Sequence, residues 1–494
     1  MAEDARADGG GQRYWFGPLS RRGLVAGFRG GQLAALGLGA LLAVTVLRAD
    51  PALPGVVGAL GLLGLGAAAG TVPLAGRTAE EWAPDALRHA AGRLRGWRPR
   101  ADLGRRFALA ETQAPGRSPG RADRVGVVVD RARGVLSVVL PVEGDGLVLR
   151  GPEEQDQQVA RWARVLGAAG RDLGGVHRLQ WLASCGPLSR ADLARLCRTD
   201  VAEPGAPPGR TAGHAGEERE GPAEAYRALV ASWAPTLVRH EVHLAVSVRS
   251  QARHLGSWLG GLLGARDGTQ EALARLAREL DALRERLAEA GARPGPPLDR
   301  AALARWLAGT SRPSSDDRAG AATGWPWPDA VRADWDCLRT DGTWQATWWV
   351  AEWPRQAVPA GFLVPLLVPS RWRQRLVVVL APLGPTEARR QAERARTADL
   401  ADAELRQRSG FLRTARRRRE EQAVWDRERE LAEGHAACRF AGYLTICADD
   451  RPALEAAAEE LEQRAARTGL ELRRCYGDQL EAWLATWPTG DGLP

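Results

Sequence analysis

The most regular feature of the chain is a block of apolar positions near its start, broken once in the middle. Gly30 to Leu47 is one uncharged run, and Pro51 to Gly76 is a second. As a helix the first run spans about 27 Å at 1.5 Å per residue, close to the thickness of bilayer hydrocarbon. Leu33, Leu36, Leu38, Leu41, Leu42 and Leu47 supply its apolar bulk, and Leu53, Leu60, Leu62, Leu63, Leu65 and Leu74 that of the second. Arg48-Ala49-Asp50-Pro51 between them reads as a turn. Charges are costly at the bilayer centre and well placed at its surface, and proline is tolerated in the first turn of a helix. The pattern predicts a transmembrane helical hairpin over 30–76. Gly66 and Gly70 add the G-x-x-x-G spacing that lets helix backbones approach closely.

Beyond residue 76 the period changes repeatedly. A basic juxtamembrane helix is expected near 79–97, then a linker to 123. "VGVVVDRARGVLSVVLPV" gives two strand-like runs around an Arg-Gly turn. A helix follows, with Val159, Trp162, Val165 and Leu166 on one face, and then the strand "VHRLQWLASC". Pro204–Pro222 is polar and reads as a loop, and "HEVHLAVSVRS" as a strand. Leu273, Leu276, Leu280, Leu283 and Leu287 recur at 3,4 spacing, an amphipathic helix with too few heptads for an independent coiled coil. "WDCLRTDGTWQATWWVAEWP" alternates around Asp341-Gly342, a hairpin signal. Trp344 and Trp348 fall on one face, Trp349 and Trp353 on the other, so this strand is expected to be covered on both sides. "RLVVVLAPL" is a further buried strand. Residues 384–436 are charged and helix-forming, two helices around Ser409-Gly410, with the block Arg416, Arg417, Arg418, Arg419. The closing part, 437–494, reads strand–helix–strand.

The expected fold class is α+β: the N-terminal hairpin, then an α+β region with long charged helices. The expected divisions are 1–29, 30–76, 77–123, 124–383, 384–436 and 437–494.

Charge refines this picture. The formal net charge is +8, yet the chain has no lysine, no asparagine and one isoleucine, Ile446. That bias matches a GC-rich coding sequence and weakens any nucleic-acid reading of the basic balance. Without lysine, a G-x-x-x-x-G-K-[ST] phosphate loop and Schiff-base chemistry are excluded. Arg13, Arg21, Arg22 and Arg29 precede the hairpin, and Arg77, Arg88, Arg93, Arg95, Arg98 and Arg100 follow it, while its turn holds only Arg48. The positive-inside rule then places both termini in the cytoplasm. "SRRGLVAG" at 20–27 is also twin-arginine-like, but a cleaved export signal carries a single short apolar region.

Chemistry-bearing clusters are sparse. Six cysteines include no C-x-x-C pair, against a zinc site. His240 and His243 point to opposite faces of a strand and suit no metal motif. No metal, cofactor or catalytic constellation is expected.

"YWFGPLSRRGLVAG" leading into the hairpin, then "PLAGRTAEEWAP", resembles PrgI-like conjugal-transfer membrane proteins. "RADWDCLRTDGTWQATWWVAEWP", "RELAEGHAACRFAGYLTICADD" and "YGDQLEAWLATWPTGDGLP" resemble the N-terminal, non-ATPase region of the type IV secretion ATPase. Gln479, Trp483 and Pro488 stand near a pattern that precedes that family's nucleotide-binding core. The resemblance implies a non-enzymatic, membrane-anchored scaffold of a conjugation-like machine. The chain ends at Pro494, about where that core would begin, so the expected partners are a separate ATPase, the lipid bilayer, and further copies or a multi-protein complex. The alternative is a membrane-tethered nucleic-acid-binding protein that uses the 416–419 block.

Overall fold

The computed structural model describes residues 12–16, 30–72, 78–94, 99–115, 122–144, 146–171, 175–188, 237–250, 266–311, 326–367, 372–409, 415–433 and 435–493, with short helical pieces at 228–229 and 232–233. The Pro204–Pro222 loop, Arg21, Arg22, Arg29, Trp97 and Cys197 lie outside these residues.

Two apolar helices, α1 (Gly30–Ala49) and α2 (Leu53–Thr71), pack as an antiparallel hairpin. The turn is built by Asp50, whose N–H donates to Val46 O and whose carboxylate accepts from Ala52 N. Two helices follow, α3 (Ala79–Leu94), in which three acids outnumber two arginines so that the expected basic character is not met, and the basic α4 (Pro99–Arg106).

The rest of the chain is organised by one antiparallel sheet. Its strands are β1 (Phe107–Pro115), β2 (Ala122–Asp130), β3 (Val135–Glu143), β4 (Val176–Pro187), β5 (Val238–Arg249), β6 (Arg293–Pro294), β7 (Val331–Ala333), β8 (Leu338–Thr340), β9 (Thr343–Glu352), β10 (Arg373–Pro382), β11 (Cys438–Ala448) and β12 (Glu471–Arg474). The order is β1-β2-β3-β5-β4-β10-β11-β9-β8-β7, with β6 also on β3 and β12 also on β9. Residues 107–115, expected within a linker, are therefore a strand. Their alternation matches that of β2, and the two pair along their whole length from Phe107 opposite Asp130. The sheet also takes strands from both 124–383 and 437–494, because β11 is inserted between β10 and β9.

The helices between the strands are α5 (Pro152–Arg171), α6 (Arg266–Glu289), α7 (Arg300–Ser311), α8 (Val364–Leu367), α9 (Pro385–Ser409), α10 (Ala415–Ala432), α11 (Arg451–Arg467) and α12 (Gln479–Ala485). Together they reveal an internal duplication. In the first unit β3-α5-β4-β5-α6-β6 folds with strand order β6-β3-β5-β4. In the second, β9-α8-β10-β11-α11-β12 gives β12-β9-β11-β10. Each is a split β-α-β sandwich. Each is preceded by a hairpin partner, β2 or β8, and followed by a helix, α7 or α12. The equivalent strands β4 and β10 pair antiparallel, Leu182 opposite Val377. One continuous sheet results, with an approximate two-fold axis through its centre.

Burial follows from the alternation. Even-numbered positions of β3 and β5 (Leu136, Val138, Leu140, Leu244, Val246, Val248) face α5 and α6. The five leucines of the α6 stripe are all buried there. At about 1.5–3 kcal/mol each on burial they fix α6 as a core helix. Trp348, Leu376, Leu444 and Ile446 face α11 on the same side of the sheet. The opposite face carries α4, α7, α12 and the final segment, packed around Trp327, Trp483 and Trp487. β9 is thus covered on both sides: Trp348 meets the α11 layer, while Gln345 and Thr347 face α12. The β8–β9 turn has both central residues at positive φ, Asp341 at 47° and Gly342 at 93°, the twist that a two-residue antiparallel turn requires.

Candidate functional site

The N-terminal hairpin is the feature that most limits function. Both helices are long and apolar enough to cross a membrane. Leu38, Leu41, Leu47, Leu53, Val57, Leu60 and Leu65 are all exposed. So large a contiguous apolar surface needs a non-aqueous partner, and it is compatible with a two-pass membrane anchor. Within the hairpin the backbones meet at Gly39 and Gly66: a Cβ on Gly66 would lie 2.9 Å from Gly39 Cα and 3.0 Å from Ala35 O. Gly70 faces α1 less tightly, 3.3 Å from Gln32 O. The glycine pair singled out by spacing thus lines the contact between α1 and α2.

Both ends of the hairpin are fastened to the sheet body. Upstream, Tyr14 forms an isolated antiparallel bridge with Val358. Its hydroxyl donates to Asp156 Oδ1 at 2.9 Å, and the backbone N–H of Gln12 donates to Asp156 Oδ2 at 2.6 Å. Burial and the Asp156 carboxylate push the Tyr14 phenol up to about 12. Phe16 stacks on Trp353 at 5.1 Å and contacts Phe362 and Phe440. Trp15 points outward. Downstream, Trp82 of α3 stacks on Trp335 at 5.6 Å and touches Tyr476. Arg88 bridges Asp85 and Asp478. No local pattern links residues 12–16 to residues some 340 positions later. The only signal was three successive aromatics just before a span.

A second feature is the helical pair α9–α10, inserted between β10 and β11. Ala388 and Ala392 are buried at its base. Farther out, Arg396 binds the Glu428 carboxylate with both oxygens in reach, at 2.7 and 3.0 Å, and its guanidinium lies 4.4 Å from the Trp425 ring centroid. α9 is about 37 Å long at 1.5 Å per residue. Arg416, Arg417, Arg418 and Arg419 lie in the first turns of α10, next to the tip; their side chains lie outside the described residues.

The candidate chemical groups are dispersed. His240 Nε2 sits 3.0 Å from Leu367 O, while His243 is buried against Trp306 on the other side of the strand register. Burial holds the His243 imidazole down to about 4. Cys185, Cys337, Cys438, Cys447 and Cys475 form no disulfide among the described residues. Burial pushes the thiols of Cys337, Cys438 and Cys447 up to about 11, so they are protonated and unreactive at neutral pH. No group of three metal-ligating side chains occurs among the described residues. A cleft of about 340 Å³ lies between Trp82 and β12. Of its two arginines, Arg474 is held by both oxygens of Glu455 and by Asp336 O, and Arg473 reaches Glu471 at 3.4 Å.

Gln479, Trp483 and Pro488 are all interior. The Gln479 amide accepts from Thr347 N and donates to Thr347 O, completing β9 between the short partners β8 and β12. Trp483 Nε1–H donates to Gln345 Oε1 at 2.8 Å. On the same face Gln180, fully buried, donates to Ala485 O and Trp487 O and accepts from Gly490 N.

No protein-family model matches the chain, and no curated protein matches its sequence.

Proposed function

We propose that this chain is a non-enzymatic, two-pass membrane scaffold of a conjugation-like, type IV-like secretion apparatus, with its body in the cytoplasm and a separate ATPase docked on it. The observation that carries the reading is the double fastening of the hairpin. Tyr14 and Phe16 hold its entry and Trp82 its exit on the same folded body. A hairpin so held enters and leaves the bilayer on one side. The arginine excess in its flanks puts that side in the cytoplasm. The projecting α9–α10 pair offers a long charged edge for a partner. The secretion machine itself comes from the resemblance of the hairpin region and of the tryptophan-rich and closing segments.

Topology and partner are tested together. Ala49→Cys, in the turn, should react with a membrane-impermeant maleimide added outside intact cells, while the body resists external protease. Purification in mild detergent should recover an ATPase, and replacing the tip of α9–α10 with a short glycine-serine link should lose it while the chain stays in membranes. A chain found in the soluble fraction, or a body cut from outside, overturns the reading. The second reading, nucleic-acid binding, rests on the arginine block near that tip. It predicts a DNA mobility shift at low salt that fades steeply as salt rises.

A further inference from the structure

The two-fold that relates the units also relates two rows of side chains, one at each end of the central strands. Leu182 faces Val377 at the centre, His243 pairs with Leu182, and Tyr443 pairs with Val377. Counting four residues outward, Arg178 corresponds to Arg373, Ala381 to Gly186, and Arg439 to Arg239. At one end Arg373, Gly186 and Arg239 lie side by side on β10, β4 and β5. At the other, Arg178, Ala381 and Arg439 lie side by side on β4, β10 and β11. In both rows two arginines flank a small residue on one face of the sheet, their Cα atoms about 10 Å apart by strand spacing.

The rows differ in the charge beside the outer arginine. Arg239 donates to Glu241, two residues further along β5. The corresponding residue beside Arg439 is Ala441. Arg249, at the end of β5, adds a third guanidinium on the same face as Arg178. Acids on neighbouring elements are already committed: Asp130 to Arg106, and Asp491 to both Arg106 and Arg133. Among the described residues no carboxylate pairs with Arg178, Arg249 or Arg439. Arg178 is only 7% exposed, and its Nε–H has no acceptor. A nearly buried guanidinium with an unused donor calls for a counter-charge from outside the described residues. Burial and the charges of Arg249, Arg178 and Arg439 hold the adjacent His177 imidazole down to about 4, so it is neutral at pH 7.

We propose that Arg178, Arg249 and Arg439 form a binding site for a phosphoryl oxyanion, with Ala381 as its floor. Guanidinium forks match tetrahedral oxyanions with paired N–H donors, and three positive charges favour a dianion over a single carboxylate. The site stands apart from the secretion reading and does not depend on it.

The test is calorimetric titration of the full detergent-solubilised chain with two probes, inorganic pyrophosphate and dioctanoyl phosphatidic acid. Saturable binding of pyrophosphate is expected, weakened roughly tenfold or more by Arg249→Gln and by Arg439→Gln, both surface changes that spare the core. Arg239→Gln, in the related row, should leave it unchanged. Ala441→Glu, which copies the internal partner of that row, should abolish it. Binding of the lipid alone, with the same dependence on Arg249 and Arg439, supports the site and assigns its phosphate to a headgroup. No saturable binding of either probe, or equal affinity in the Arg249→Gln/Arg439→Gln double variant, overturns the proposal.

Discussion

Alanine substitutions along α2 give a graded test of the hairpin, because four glycines of one helix meet very different surroundings. A methyl group at Gly66 lands 2.9 Å from Gly39 Cα and 3.0 Å from Ala35 O. Both are backbone atoms, with no side-chain rotamer to yield, so the helices must part by several tenths of an ångström. Overpacking of this kind costs about 1–3 kcal/mol, a shift of roughly 5- to 150-fold in the closed hairpin. At Gly70 the nearest atom is 3.3 Å away, and the cost should be a fraction of that. At Gly61 and Gly64 nothing lies within 4 Å, so alanine should be neutral. The readout is disulfide formation between Val46→Cys and Gly58→Cys, since a Cβ on Gly58 would lie 3.5 Å from Val46 Cγ1. The native cysteines all lie at residue 185 or beyond, so a fragment cut after the hairpin reports this pair alone. Cross-link yield in membranes should fall in the order Gly64 and Gly61, Gly70, Gly66. Equal yields for Gly66→Ala and Gly64→Ala would refute the seam.

Phe16→Ala removes a ring packed against three aromatics. Losing roughly 2–3 kcal/mol of burial and ring contact should release the N-terminal segment, read as a rise of at least tenfold in its protease cleavage rate. Gln180→Leu strands the Ala485 carbonyl and the Gly490 N–H inside the core, while Trp487 O keeps its bond from Thr489 N; at about 1–3 kcal/mol each, the melting temperature should drop by several degrees. His243 sits near 4 when folded and near 6.5 when unfolded. Between those values the unfolded chain binds the extra proton, so stability is full above pH 6.5 and declines as pH falls toward 4. His243→Phe should flatten that part of a stability–pH curve measured by denaturant titration.

Local periodicity was enough wherever a residue's neighbours along the chain decide its environment. The α6 leucine stripe, the Asp341-Gly342 turn and the two apolar spans all follow from such patterns. The duplication does not, because its halves share almost no sequence: Trp306-Leu307-Ala308 and Trp483-Leu484-Ala485, on the corresponding helices, are its faint trace. Composition suggests a break at residue 384, where the charged helices begin, yet β11 returns to the sheet beyond them. Gln180 and Gln479 look like ordinary polar positions until the closing segment is laid over the sheet. The arginine row at Arg178 and Arg439 is likewise invisible without strand register, since its members are 261 positions apart.

The aromatic strap at residues 14–16 also sets an order of events during biogenesis. Its receptor residues, Trp353, Phe362 and Phe440, leave the ribosome more than 330 residues after the strap itself, a delay on the order of tens of seconds at translation speeds of about 5–20 residues per second. On the proposed membrane-anchored reading the apolar helices reach lipid before residues 14–16 can dock, and the latch shuts only once the second unit has condensed. Closure of that latch is a natural last checkpoint: a chain whose second half misfolds stays embedded but unlatched, with its leader open to proteases.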